Sequence, residues 1–147
     1  MKKMLVFFAI TMFSVSLFAQ EAVPAKKADE VVKFKDLSYN FGKIKQGVPV
    51  THDFLFTNVS EKPVVIETAT PSCGCTTPVW PQAPIAKGKT DKVTAGFNAG
   101  SAGPFTKTIA VKLAGVDGVV TITITGEVLN AEEYVKYEKE KGSKGKK

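Results

Sequence analysis

Residues 31–130 are predicted to fold as an antiparallel β-sandwich of about seven strands. Three observations carry the prediction. Apolar and polar residues alternate with period two from Val48 to Asn58, the pattern of a half-buried strand. Short apolar runs rich in valine, isoleucine and threonine then recur at even spacing, with turn residues between them. The span that holds them is the length of one ordinary domain.

Taken in order, Met1-Lys2-Lys3 is basic, and Met4 to Phe18 is almost wholly apolar and ends at Ala19 ahead of Gln20-Glu21. That is the form of a secretory signal peptide, residues 1–19, cleaved near Ala19. The mature protein is then expected in the periplasm or outside the cell. Residues 20–30, with Pro24, Lys26, Lys27, Asp29 and Glu30, read as a flexible lead-in. A first strand is expected near Val31–Leu37 and a second over Tyr39–Ile44, turning at Gln46-Gly47. In the following strand Val50, His52, Phe54 and Phe56 share one side, while Thr51, Asp53, Leu55 and Thr57 share the other. Asn58 to Lys62 is a turn, and Pro63–Ala69 a strand.

Pro71, Pro78, Pro81 and Pro84 then punctuate the chain to Gly88. Proline removes ladder donors, so an ordered crossing loop is expected here and no strand. Lys92–Phe97, Phe105–Leu113 and Val119–Leu129 complete the strands. Ile109, Val111, Leu113, Val120, Ile122 and Ile124 should face inward, with Thr121, Thr123 and Thr125 on the other face. Ala131–Lys139 has helical composition, and the lysine-rich remainder to Lys147 is expected to be disordered.

The formal charge of +6 is carried by the two ends. Lys2 and Lys3 leave with the signal peptide, and Lys139–Lys147 holds five lysines against Glu140, so residues 20–138 balance. Arginine is absent, which removes the side chain best suited to phosphate and guanine recognition. A nucleic-acid partner is therefore not expected. The lysine-rich tail suits, at most, a weak salt-sensitive contact with anionic envelope polymers or lipid headgroups.

Tyr39-Asn40-Phe41-Gly42, Gly47, His52 to Asn58, Ser72-Cys73-Gly74-Cys75-Thr76, Pro78, Trp80, Pro84 to Gly88 and Gly96-Phe97-Asn98 occur in an order that resembles the DUF1573 family. These are exported bacterial proteins of unassigned function, frequent in Bacteroidetes, and the resemblance spans roughly residues 31–129. It implies an immunoglobulin-like sandwich of the pilus-chaperone and major-sperm-protein type. It brings no activity with it.

The sharpest chemistry sits at Cys73 and Cys75, the only cysteines. A disulfide needs Cα atoms about 4.4–6.8 Å apart, and Gly74, free of a Cβ, lets the backbone fold inward to meet that need. Three readings stay open: a disulfide or thiol pair that only shapes its loop, a redox-active dithiol, and a Cu(I) site of two thiolates. Structural zinc would need four ligands, more than these cysteines and His52 supply.

His52, the sole histidine, lies on the apolar side of its strand. It is either a partly buried residue bonded to a backbone carbonyl, or a third metal ligand beneath the cysteine loop. Trp80, with Pro78 and Pro81, is either a plug at one end of the sandwich or an aromatic surface for a partner.

With one histidine there is no hydrolytic triad, and no paired carboxylates point to glycoside chemistry. The expectation is an exported, non-catalytic binding or assembly module of the cell envelope, with a protein partner there. Thiol-disulfide exchange and Cu(I) binding at Cys73 and Cys75 are the alternatives.

Overall fold

The computed structural model describes residues 27–144. The expected signal peptide, most of the expected lead-in and the last three residues lie outside them. A helical turn, α1 (Ala28–Val31), precedes eight strands: β1 (Val32–Phe34), β2 (Ser38–Lys45), β3 (Val50–Asn58), β4 (Ile66–Pro71), β5 (Thr76–Val79), β6 (Thr90–Phe97), β7 (Gly103–Leu113) and β8 (Val120–Leu129). A second helix, α2 (Ala131–Lys144), follows them. Ala28 and Val31 are buried, so the end of the expected lead-in is packed onto the domain.

The strands form two four-stranded sheets, ordered β1-β3-β6-β5 and β2-β8-β7-β4. Every neighbouring pair is antiparallel except β2 with β8, which run parallel over Ser38↔Thr123 to Lys45↔Leu129. This corrects the uniformly antiparallel expectation. Alternation reports which face a residue takes, not the direction of its neighbour. The parallel pair arises because the chain leaves the first sheet after Phe34 and enters the second as β2, where Leu37 O accepts the Thr123 N–H at 2.8 Å.

The inward faces follow the alternation. Phe54 and Phe56 of β3 pack with Val93 and Ala95 of β6, against Ile109, Val111 and Leu113 of β7 and Ile122 and Ile124 of β8, all of them buried. Each of these side chains larger than alanine contributes about 1.5–3 kcal/mol through burial. Toward one end Phe105 stacks on Phe97 at 4.1 Å. The ring has room because residue 126 is glycine: a Cβ there would lie 2.8 Å from Phe105 and 2.9 Å from Gly42 O.

Asn58 is the one fully buried amide among the described residues. Its Nδ2 donates to Ile85 O at 2.8 Å and Lys62 O at 2.9 Å, and its Oδ1 accepts from Ser60 N–H and Ser60 Oγ, each at 2.8 Å. That closes the turn after β3 and fixes it to the loop before β6. It also keeps the Asn58 amide, the acceptor of an Asn58-Val59-Ser60 glycosylation pattern, out of solvent.

α2 opens with a capping box: Asn130 Oδ1 accepts from Glu133 N–H at 3.0 Å, and Glu133 Oε2 accepts from Asn130 N–H at 3.2 Å. The Tyr137 ring lies under Lys43 of β2, 5.4 Å away, which lays the helix beside that strand. The lysine-rich segment from Lys139, expected to be disordered, continues the helix to Lys144. Lysine and glutamate are good helix formers, and Glu132 with Lys136 stands at the supporting i, i+4 spacing. No described helix is long and apolar enough to cross a membrane.

Candidate functional site

β4 ends one sheet and β5 ends the other, and Ser72–Cys75 carries the chain between them. The crossing is pinned on both sides. Ser72 N–H donates to Thr108 O at 2.8 Å, Thr108 N–H returns to Ser72 Oγ at 3.1 Å, and Asn98 N–H donates to Cys75 O at 3.1 Å. Within the crossing, Thr76 N–H donates to Cys73 O at 3.2 Å, making a tight turn around Gly74. Cys73 and Cys75 are joined as a disulfide with Cα atoms 5.3 Å apart.

Both cysteines are half-buried. Cys75 packs against the edge of the core and lines a cavity of about 280 Å³ together with Phe97, Phe105, Asn98, Pro104 and Lys107. On the other sulfur, buried Thr76 places Oγ1 3.7 Å from Cys73 Sγ, with the hydroxyl as donor because a disulfide sulfur carries no proton.

Pro78 was expected in a loop but lies within β5, opposite Ala95 of β6. The Asn98–Cys75 bond sets the antiparallel alternation, in which Thr77 and Val79 bond to β6 while Thr76 and Pro78 face the open edge. A proline at an outward edge position removes no ladder bond, so the strand forms. Trp80 follows β5 and packs against the core, with its Nε1 buried and without a hydrogen-bond partner among the described residues. Pro78 and Pro81 are half-buried beside it.

The structure does not bring His52 to the sulfurs. It faces Ala95, with Pro78 one strand further on, so two strand spacings, about 10 Å, separate it even from β5. Its ring stacks on Tyr39 of β2 at 3.6 Å and meets Phe54 edge-on at 4.8 Å, with no bond to a backbone carbonyl among the described residues. Among the described residues no group of three His, Cys, Asp or Glu side chains is placed to hold a metal. The three-ligand Cu(I) set is therefore not assembled, and the two sulfurs, while bonded to each other, have no thiolate to offer.

A second feature escaped the sequence. The Asn58 N–H bond to Lys89 O, 3.0 Å, sets the β3–β6 alternation and turns Thr51, Asp53 and Leu55 away from β6. β1 covers that outward side only as far as Phe34↔Phe56, with Lys35 N–H closing on Leu55 O at 2.9 Å. Beyond that point the N–H and C=O groups of Thr51 and Asp53 have no backbone partner among the described residues.

The β5, β4 and β2 edges are blunted. β5 offers no outward donor, because the Thr76 N–H is taken and Pro78 has none. β4 has the donorless Pro71 at an outward position and is bulged between Ile66 and Thr68, while β2 breaks register between Asn40 and Lys43 and carries Lys43 and Lys45. Beside the open β3 segment, Leu55 shares a surface depression of about 490 Å³ with Lys33, Lys35 and Val59. On the outer face Asp53 accepts from Lys92 Nζ at 2.7 Å and Thr94 Oγ1 at 2.6 Å, and these two bonds, Lys92 first, hold its pKa below the ordinary 3.8.

Two sheets with the first edge strand split between them define an immunoglobulin-like sandwich of the PapD-like class. Solved structures agree. PapD-like domain 7 of human CEP192 superposes with a TM-score of 0.57 at 12% identity, covering 88% of this chain and 99% of that domain. A protein of unknown function from Porphyromonas gingivalis W83 gives 0.59 at 16% identity over 72% of this chain, and the Vibrio cholerae VesB protease 0.54 at 17% over 69%. The match spans 51% of the Porphyromonas protein and 33% of the protease. At these identities the likeness is one of fold. The chain belongs to the DUF1573 family, described as a protein of unknown function, which it matches over residues 32–128. No curated protein matches it.

Proposed function

We propose that this protein is an exported, non-catalytic binding module of the bacterial cell envelope that receives an extended segment of an envelope protein along β3. The observation that carries the reading is the unpaired run at Thr51 and Asp53, in a domain whose β5, β4 and β2 edges are blunted. An unpaired strand edge is a template for another strand, with backbone bonds supplying affinity and alternate side chains supplying choice. The surface beside it selects the guest. Leu55, 42% exposed, favours an apolar side chain, and Lys33 and Lys35 favour acidic neighbours. Export rests on the basic and apolar N-terminal sequence.

The test is a photo-crosslinking residue placed at Leu55 in cells, compared with one at Val79, which is 63% exposed on β5. Thr51→Pro removes an outward N–H that the fold does not use, so it should leave the sandwich intact and abolish the Leu55 adduct. Adducts that survive Thr51→Pro, or that form at Val79 in preference to Leu55, would sink the β3 reading.

A further inference from the structure

The disulfide adds little as a staple. The chain-entropy model gives a ring closed over so few residues far less than the roughly 3 kcal/mol of a fifteen-residue loop. The crossing is in any case held by four hydrogen bonds that do not involve sulfur: Ser72 to Thr108 and back, Asn98 to Cys75 O, and Thr76 to Cys73 O. Opening the S–S bond therefore leaves both cysteines in place. The two sulfurs also have unlike surroundings. Cys75 borders the cavity of about 280 Å³, with apolar Phe97 and Phe105 and cationic Lys107 around it, whereas Cys73 has the Thr76 hydroxyl 3.7 Å away.

We propose that this bond exchanges with thiols in the native protein, the incoming thiolate attacking Cys75 Sγ from the cavity and Cys73 leaving. Lys107 attracts the anionic attacker, and the Thr76 hydroxyl donates to the departing thiolate. A leaving thiol of lower pKa departs faster. In the first step a bond forms between the substrate sulfur and Cys75 Sγ, the Cys73–Cys75 bond breaks, and its electron pair stays on Cys73 Sγ, which takes a proton from solvent. A second substrate thiolate then attacks the substrate sulfur of the mixed disulfide. It releases a substrate disulfide and leaves Cys75 as a thiolate that is protonated in turn. Two electrons pass from two substrate thiols to the protein.

The substrate class is a small thiol or a cysteine in an exposed peptide, as the size of the cavity allows. Exchange uses no part of the β3 edge, so either proposal can fail alone.

The experiment treats the native oxidised protein with millimolar reduced glutathione, quenches with acid and a maleimide, and maps both sulfurs by mass spectrometry while near-ultraviolet circular dichroism follows Trp80. The expected result is glutathione on Cys75 and maleimide on Cys73, with the dichroism unchanged. Thr76→Val, which keeps the side-chain shape but lacks the hydroxyl, should slow the step about tenfold, the order expected for removing one hydrogen bond to a charged group. Glutathione found on Cys73, adducts that form only under unfolding conditions, or a Thr76→Val protein reacting at the unaltered rate would each overturn the proposal.

Discussion

Replacing Asn58 with alanine tests whether a single buried amide holds the turn after β3. The substitution removes four hydrogen bonds, but their loss is not uniform. Ile85 O keeps the Val64 N–H at 2.9 Å, and Lys62 O keeps the Ser60 hydroxyl at 2.8 Å, so neither carbonyl is orphaned. The Ser60 hydroxyl has one proton and keeps Lys62 O as its acceptor, while the Ser60 N–H loses its only partner among the described residues. Three bonds at about 1 kcal/mol each give a loss of about 3 kcal/mol. At about 4 °C per kcal/mol for a domain of this size, the melting temperature should fall by about 12 °C.

Thermal unfolding followed by far-ultraviolet circular dichroism reads that shift, and urea unfolding checks that the m-value is unchanged. Asn58→Asp sharpens the test, because it keeps the acceptor for Ser60 but turns a carboxylate toward two carbonyls. Burial among acceptors raises the folded-state pKa of the new acid, so this variant should be most stable at low pH. It should lose stability as pH rises through the unfolded value of about 3.9 to the raised folded one. An Asn58→Ala protein within about 1 kcal/mol of the parent would refute the reasoning, since a single hydrogen bond already accounts for that much.

Gly126→Ala should destabilise the domain by about 1–3 kcal/mol, toward the upper end because one clash is with the Gly42 carbonyl, and Phe105→Leu in the same chain should recover some of the loss in urea unfolding. The Asp53 carboxyl should titrate below 3.8 by NMR, so whatever stability it lends is present above that value and is lost as pH falls through the lower folded pKa. Lys92→Met should bring the midpoint back toward 3.8, and a midpoint that stays put would contradict the assigned cause.

The sandwich was legible because both inner faces announce themselves. The alternation around Phe54 and Phe56 and the run from Ile109 to Ile124 leave one orientation that buries them. Where the reading failed, the missing information was relational. Pro78 argues against a strand only if its nitrogen faces a partner, and which way it faces is set by the Asn98–Cys75 bond, made from residues far apart in sequence. The parallel run of β2 beside β8 has the same origin, as does the bare stretch of β3, which depends on where β1 stops. Asn58 carries a turn signal in sequence but nothing to say that its amide is sealed inside. At the candidate site the cysteine pair and its glycine were evident from spacing. The Thr76 hydroxyl and the Lys107 cavity were not, because neither residue type nor spacing marks them.

The split first strand has a mechanical consequence. β2, the second part of that split strand, and β8, the last strand, lie side by side in the same direction through six register pairs, so they meet the load once β1 is drawn off β3. Tension that draws the two ends of the domain apart slides these strands past each other in shear, so their bonds must yield together and cannot open singly in the manner of a zipper. A domain tethered at both ends is thereby clamped at the seam where the pull arrives.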